Sequence, residues 1–161
     1  MNKVYEDFIT EMIEELVEED SSFQDLIVEK QQKFDSLVRE NRRLITRPDV
    51  ILRSKETDKY PLIIDAKYKR QENNADFYQV IAYALAIPTA KACCLIYPSD
   101  VDIDQDVLTL DPDKFGGDRG EIKLHIIKIN LHWDDKLEFN DFVSKIKNDI
   151  RDKLYVCCKL H

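Results

Sequence analysis

The chain has 161 residues, of which 43% are hydrophobic and 35% charged, and a formal net charge of −8 at pH 7. That length fits one domain spanning residues 1–161, burying roughly 70% of its unfolded surface, with no need of a metal or disulfide to fold. No apolar run approaches the ~18 residues of a spanning helix, and Met1–Asp7 lacks a signal peptide's basic start and apolar centre, so a cytoplasmic protein with no membrane partner is expected.

Residues 3–20 read as a helix. Val4, Phe8, Met12 and Leu16, flanked by Ile9, Ile13 and Val17, form a stripe at helical spacing, and acids cover the remaining surface. Glu6 lies at the edge of that stripe, whereas Glu11, Glu14 and Glu18 point away from it. Residues 23–34 read as a first strand with some helical character, 37–44 as a hairpin turn, and 45–53 as a second strand with Pro48 at its beginning, where a lost backbone donor is tolerable. Ser54–Tyr60 is a polar turn.

A third strand runs over 62–69. Strand side chains alternate, so Ile63, Asp65 and Lys67 share one face and Leu62, Ile64 and Ala66 the other. Each of the two latter strands carries an acid in an apolar setting, where an unpaired carboxylate would cost several kcal/mol. If the strands pair, Asp49 joins Asp65 and Lys67, and two carboxylates and an ammonium meet at one spot. Such oxygen ligands suit a hard divalent cation such as Mg²⁺.

After a polar loop at 71–74, a helix is expected over 75–86, with Gln79 and Tyr83 one turn apart on one face. The apolar stretch 92–97 reads as a buried central strand. Residues 98–121, rich in aspartate, read as an irregular surface excursion, and their acids lack the glycine and terminal glutamate of a calcium loop. A strand over 122–131 and an amphipathic helix over 138–155 close the chain. The overall expectation is an α/β fold: a mixed central sheet flanked by helices, in the order helix, three strands, helix, strand, a further strand and a C-terminal helix.

The ordered set of Glu6, Pro48-Asp49, Asp65-Ala66-Lys67-Tyr68-Lys69 and Gln79-x-x-x-Tyr83 resembles the core of the PD-(D/E)xK nuclease superfamily. From about residue 4 to residue 131 it looks like the McrC nuclease domain, the cleavage part of modification-dependent McrBC-type restriction systems. The resemblance implies a restriction-endonuclease-like core and a metal-dependent DNA endonuclease of restriction or defence type. It implies Mg²⁺, with Mn²⁺ an acceptable substitute, held by Asp49, Asp65, the Ala66 carbonyl and Glu6. Lys67 would orient or deprotonate the water, or stabilise developing charge. Gln79 and Tyr83 would touch the nucleic acid or brace the site, and Lys69 and Arg70 would contact its phosphates.

The charge distribution is compatible with that reading. Residues 1–20 hold one lysine against eight acids and 98–121 two basic residues against eight acids, whereas 39–70 hold ten basic residues against five acids. Only the stretch carrying the suspected site is clearly positive, as a phosphate backbone favours. With three glycines there is no phosphate-binding G-x-x-x-x-G-K-[ST] loop, so the chain cannot itself burn nucleotide. McrC-like nucleases work with a separate GTP-hydrolysing motor, engaged through a region that precedes the nuclease domain; this sequence opens almost on the catalytic helix. A homodimer is compatible with the sequence. The pairs Cys93-Cys94 and Cys157-Cys158 offer no zinc spacing and read as reduced thiols, although a bridge between the pairs stays open. Two alternatives also stand: a repair or RNA nuclease with the same chemistry, and a catalytically inactive module binding nucleic acid or a protein.

Overall fold

In a computed structural model the described residues are 2–34, 46–115 and 119–159; the expected hairpin turn at 37–44 lies outside them. Helix α1 (Asn2–Glu19) is followed by strands β1 (Leu26–Lys30), β2 (Val50–Ser54) and β3 (Leu62–Ala66), helix α2 (Asn74–Ala86) and strand β4 (Ala92–Ser99). Strand β5 (Asp106–Leu110), the short helix α3 (Pro112–Phe115), strand β6 (Ile122–Asn130) and helix α4 (Phe139–Lys159) complete the order. The strands form one six-stranded mixed sheet, β1-β2-β3-β4-β6-β5. The pairs β1–β2, β2–β3 and β5–β6 are antiparallel, and β3–β4 and β4–β6 are parallel. This is the mixed, helix-flanked sheet expected of a restriction-endonuclease-like core.

Alternation along each strand divides the core into two layers. Val50, Leu52, Leu62, Ile64 and Ala66 meet Ile9, Ile13 and Leu16 of α1 and Ile146, Ile150 and Leu154 of α4. On the opposite face Ile51, Ile63, Cys93 and Leu95 meet Val80, Tyr83 and Ala84 of α2. Each such aliphatic side chain, wholly removed from water, contributes roughly 1.5–3 kcal/mol. The central strand β4 is covered on both faces, with Ala92 to Tyr97 all buried, so its sequence is continuously apolar rather than alternating. Helix α2 starts where it does because the Asn73 side chain accepts from the Asp76 amide at 3.0 Å. Among the described residues no helix is long and apolar enough to cross a membrane.

Several boundaries differ from the sequence reading. The α1 stripe begins at Tyr5 rather than Val4, which is 71% exposed while Tyr5 is 5% exposed. Position 5 falls in line with Ile9, Met12 and Leu16, and the polar tip of tyrosine hid its role. The first strand contracts to Leu26–Lys30, because Ser21–Phe23 forms a 3-10 turn capped by the Asp20 side chain. The second strand starts at Val50, with Asp49 immediately before it, and the third stops at Ala66. The stretch 98–121 is not wholly irregular: Asp106–Leu110 pairs with β6 as an edge strand. With few buried side chains it lacks the apolar alternation that would have revealed it. The last helix continues to Lys159, burying Cys157. All four cysteines are free thiols.

Candidate active site

The antiparallel register pairs Val50 with Ile64 and Ile51 with Ile63. Carried one residue back, it brings Asp49 opposite Asp65, on the face where Ile51 and Ile63 meet α2. Asp49 is held there by its own carboxylate, since Oδ2 accepts from the Ala66 amide at 2.9 Å, and by its carbonyl, which accepts from the Gln31 amide at 2.9 Å. Two acids sixteen residues apart thus share one place at the C-terminal edge of β3.

Their environment disfavours two negative charges. Asp65 is 2% exposed. Burial, then the Asp65 charge, push the Asp49 carboxyl up to about 7, with Glu6 adding to the rise and the Ala66 amide opposing it. Because the two acids interact, that titration belongs to the pair. Asp65 Oδ2 lies against the Lys67 ammonium yet takes no hydrogen bond; the contact is ionic and off the hydrogen-bonding direction.

Lys67 lies just past the end of β3, but its amide donates to the Ile96 carbonyl at 2.9 Å, which keeps the chain alongside β4. Its Nζ donates to Gln79 Oε1 at 2.7 Å, and Gln79 Nε2 donates to Tyr83 Oη at 2.7 Å. The Tyr83 hydroxyl, pushed up to about 12 by burial and then by Asp65, stays protonated. Both α2 residues singled out from the sequence are therefore braces for Lys67, and one chain of contacts runs Asp49, Asp65, Lys67, Gln79, Tyr83.

Glu6 stands apart from the pair. It lines a cleft of about 370 Å³ that also carries Asp49, Arg47 and Gln31, between α1 and the start of β2. Among the described residues no three His, Cys, Asp or Glu side chains converge on one point, so the acids that meet are Asp49 and Asp65. Glu6 reaches Asp49 only through its charge. The pair still fits a hard cation: a half-buried carboxyl pushed up to about 7 and a buried one with an oxygen lacking a hydrogen bond are relieved by a positive charge between them.

The basic stretch divides. Arg39, Arg42 and Arg43 lie outside the described residues. Arg53 is committed to Glu29 and Asp58, and Lys55 to the Gln24 carbonyl. Around the acids remain Arg47, which donates to Gln31, together with Lys67, Lys69 and Arg70. Arg70 pairs with Asp100, and Lys69 pairs at 2.8 Å with Asp76.

Asp76 was not singled out from the sequence. It is 4% exposed, and its second oxygen accepts from Tyr97 Oη at 2.9 Å. The signal was available: Asp76, Gln79 and Tyr83 are three and four apart and share one helix face. Gln31 was missed too, and its backbone in the left-handed region, φ 49°, left no trace in the sequence.

A family model described as "McrBC 5-methylcytosine restriction system component" matches residues 1–98. No curated protein matches the chain. Among solved structures the fold is similar to a chain in the refined half-complex from the tetradecameric assembly of Thermococcus gammatolerans McrB AAA+ hexamers with bound McrC. That likeness has 15% identity and a TM-score of 0.61, and it covers 94% of this chain and 33% of the other. This chain therefore spans about a third of the length of its structural neighbour, and the likeness is one of fold. The family match takes in both acids, Lys67 and the whole of α2, and on it the chain belongs to the McrBC family of 5-methylcytosine restriction system components.

Proposed function

We propose that the chain is the cleavage module of a restriction system, hydrolysing DNA phosphodiester bonds with Mg²⁺, or Mn²⁺ in its place. The observation that carries this reading is the meeting of Asp49 and Asp65, sixteen residues apart in sequence, with Lys67 beside them. Asp49, Asp65 and the Ala66 carbonyl would hold the cation, with Glu6 acting from across the cleft. When bound, that ion would supply charge neutralisation for the phosphate and a more acidic water.

The chain's own residues do the rest. Asp65 pairs with the Lys67 ammonium and holds it in place, and Gln79, fixed by Tyr83, limits its swing. A lysine so held keeps N–H groups for the attacking water or a phosphate oxygen, and its fixed charge is worth more in a partly buried site than in water. Lys69 and Arg70, just beyond, suit phosphates flanking the cut. The partner we assign is a AAA+ motor, on the model of the McrB hexamers that bind McrC in the neighbouring structure.

The test is cleavage of plasmid and linear DNA by the purified chain with Mg²⁺ or Mn²⁺, alone and with a AAA+ motor, beside D65A. Metal-dependent nicking lost in D65A is expected. Equal inertness of both proteins under every condition would overturn cleavage in favour of a binding module, and cutting confined to RNA would move the substrate.

A further inference from the structure

Strands β3, β4 and β6 are parallel, so their C-terminal ends open onto one edge of the sheet, where open α/β sheets commonly receive ligands. On that edge lies a hollow of about 300 Å³. Tyr68, Lys69 and Arg70 line it from the β3 side, Asp100 from the end of β4, and Leu131 from the end of β6. Its size is at the lower limit of small-ligand sites, which begin at about 300 Å³. The chemistry is mixed, with two cations and an exposed ring from the β3 side, a carboxylate from the end of β4 and an aliphatic side chain from the end of β6.

The lysine is built in rather than draped over the surface. Its partner Asp76 is almost wholly buried, lies in the first turn of α2, and is pinned on its other oxygen by Tyr97. A buried carboxylate is costly without such partners. Here its second function is to fix one N–H of Lys69 and leave the other two free on a side chain 39% exposed. Arg70 gives one nitrogen to Asp100 and keeps the remainder of its fork, on a side chain 72% exposed. The Tyr68 ring, 40% exposed, leans on Tyr5 of α1 with ring centroids 5.8 Å apart, which sets its angle.

We infer that this hollow is a nucleotide subsite: it holds the nucleotide next to the scissile bond, its phosphate on Lys69 and Arg70 and its sugar against Tyr68 and Leu131, with Asp76 as the positioning residue for Lys69. The inference rests on the proposed nuclease function and deepens it.

The experiment is binding of a short fluorescein-labelled DNA duplex to the full chain, by anisotropy, in divalent-free buffer across a NaCl series. K69Q, which keeps a donor for Asp76, should lower the slope of log affinity against log salt by about one. Y68A should weaken binding about threefold at every salt concentration and leave the slope unchanged. Whatever D76N does to binding in the wild-type background should vanish in the K69Q background. An unchanged slope in K69Q, or unchanged affinity in Y68A, overturns the subsite. An effect of D76N equal in both backgrounds, or none in either, removes Asp76 as a positioning residue. Wild-type protein that binds no DNA overturns the nuclease reading itself, and this inference with it.

Discussion

Two groups of acid lie on the α2 side of the sheet, and they are treated in opposite ways. Asp76 has every need met: an ammonium on one oxygen, a phenol on the other, and a helix N-terminus beneath it. Asp49 and Asp65 face one another, with Asp49 pushed up to about 7 and Asp65 short of a hydrogen bond. A satisfied buried acid is part of the scaffold. A pair left short stores an unfavourable interaction that folding alone has no reason to keep, and a ligand of opposite charge would relieve it.

Replacing the acids breaks the comparison most directly. D65A should reduce cleavage by at least about a hundredfold, the scale seen when a principal electrostatic contributor to a transition state is removed; the check is initial nicking rate with Mg²⁺. The opposite signature is expected at Asp76. D76A should cost about 2–3 kcal/mol, discounted from a fully buried pair because Lys69 is partly exposed, and lower Tm by roughly 5–10 °C in a calorimetric scan. D49N keeps an acceptor for the Ala66 amide but removes the charge conflict, so without divalent cations its Tm should match or exceed that of the wild type.

A pH series sharpens the same point. In the folded protein Asp49 holds its proton up to about 7, whereas in the unfolded chain it loses it near 3.9. Between those values the folded state binds more protons, so this group's stabilisation is complete below about pH 4 and fades as pH rises through 7. The Tm advantage of D49N should therefore grow from pH 5 to pH 8. Mg²⁺ should raise the wild-type Tm more at pH 8 than at pH 5, because it takes over from the proton. A Mg²⁺ shift that is the same at both pH values would argue against a shared cation. The smallest effect is expected from Y83F, which removes the hydroxyl that holds Gln79: about 1 kcal/mol of stability and a severalfold lower turnover, read from Tm and from initial rate.

Much of the scaffold could be read from period alone. The helical stripe of α1, the unbroken apolar run of β4 and the Gln79–Tyr83 spacing each follow from side-chain geometry within one element. Edge strand β5 escaped because it buries almost nothing, and Tyr5 because a hydroxyl masked a core ring. Asp76 could have been found by the spacing that found Gln79, but its buried phenol partner comes from another strand, eighteen residues beyond Gln79.

The sequence by itself determined which residue types were at hand and which face of each strand and helix they take, since alternation and the helical turn are local rules. What only the tertiary structure decided was who meets whom. The β2–β3 register put Asp49 across from Asp65, the crossover through α2 brought Gln79 over Lys67 and Asp76 over Lys69, and Glu6 was left on the other side of a cleft. Such meetings depend on packing between elements distant in the chain, where a shift of one residue would turn every carboxylate to the other face.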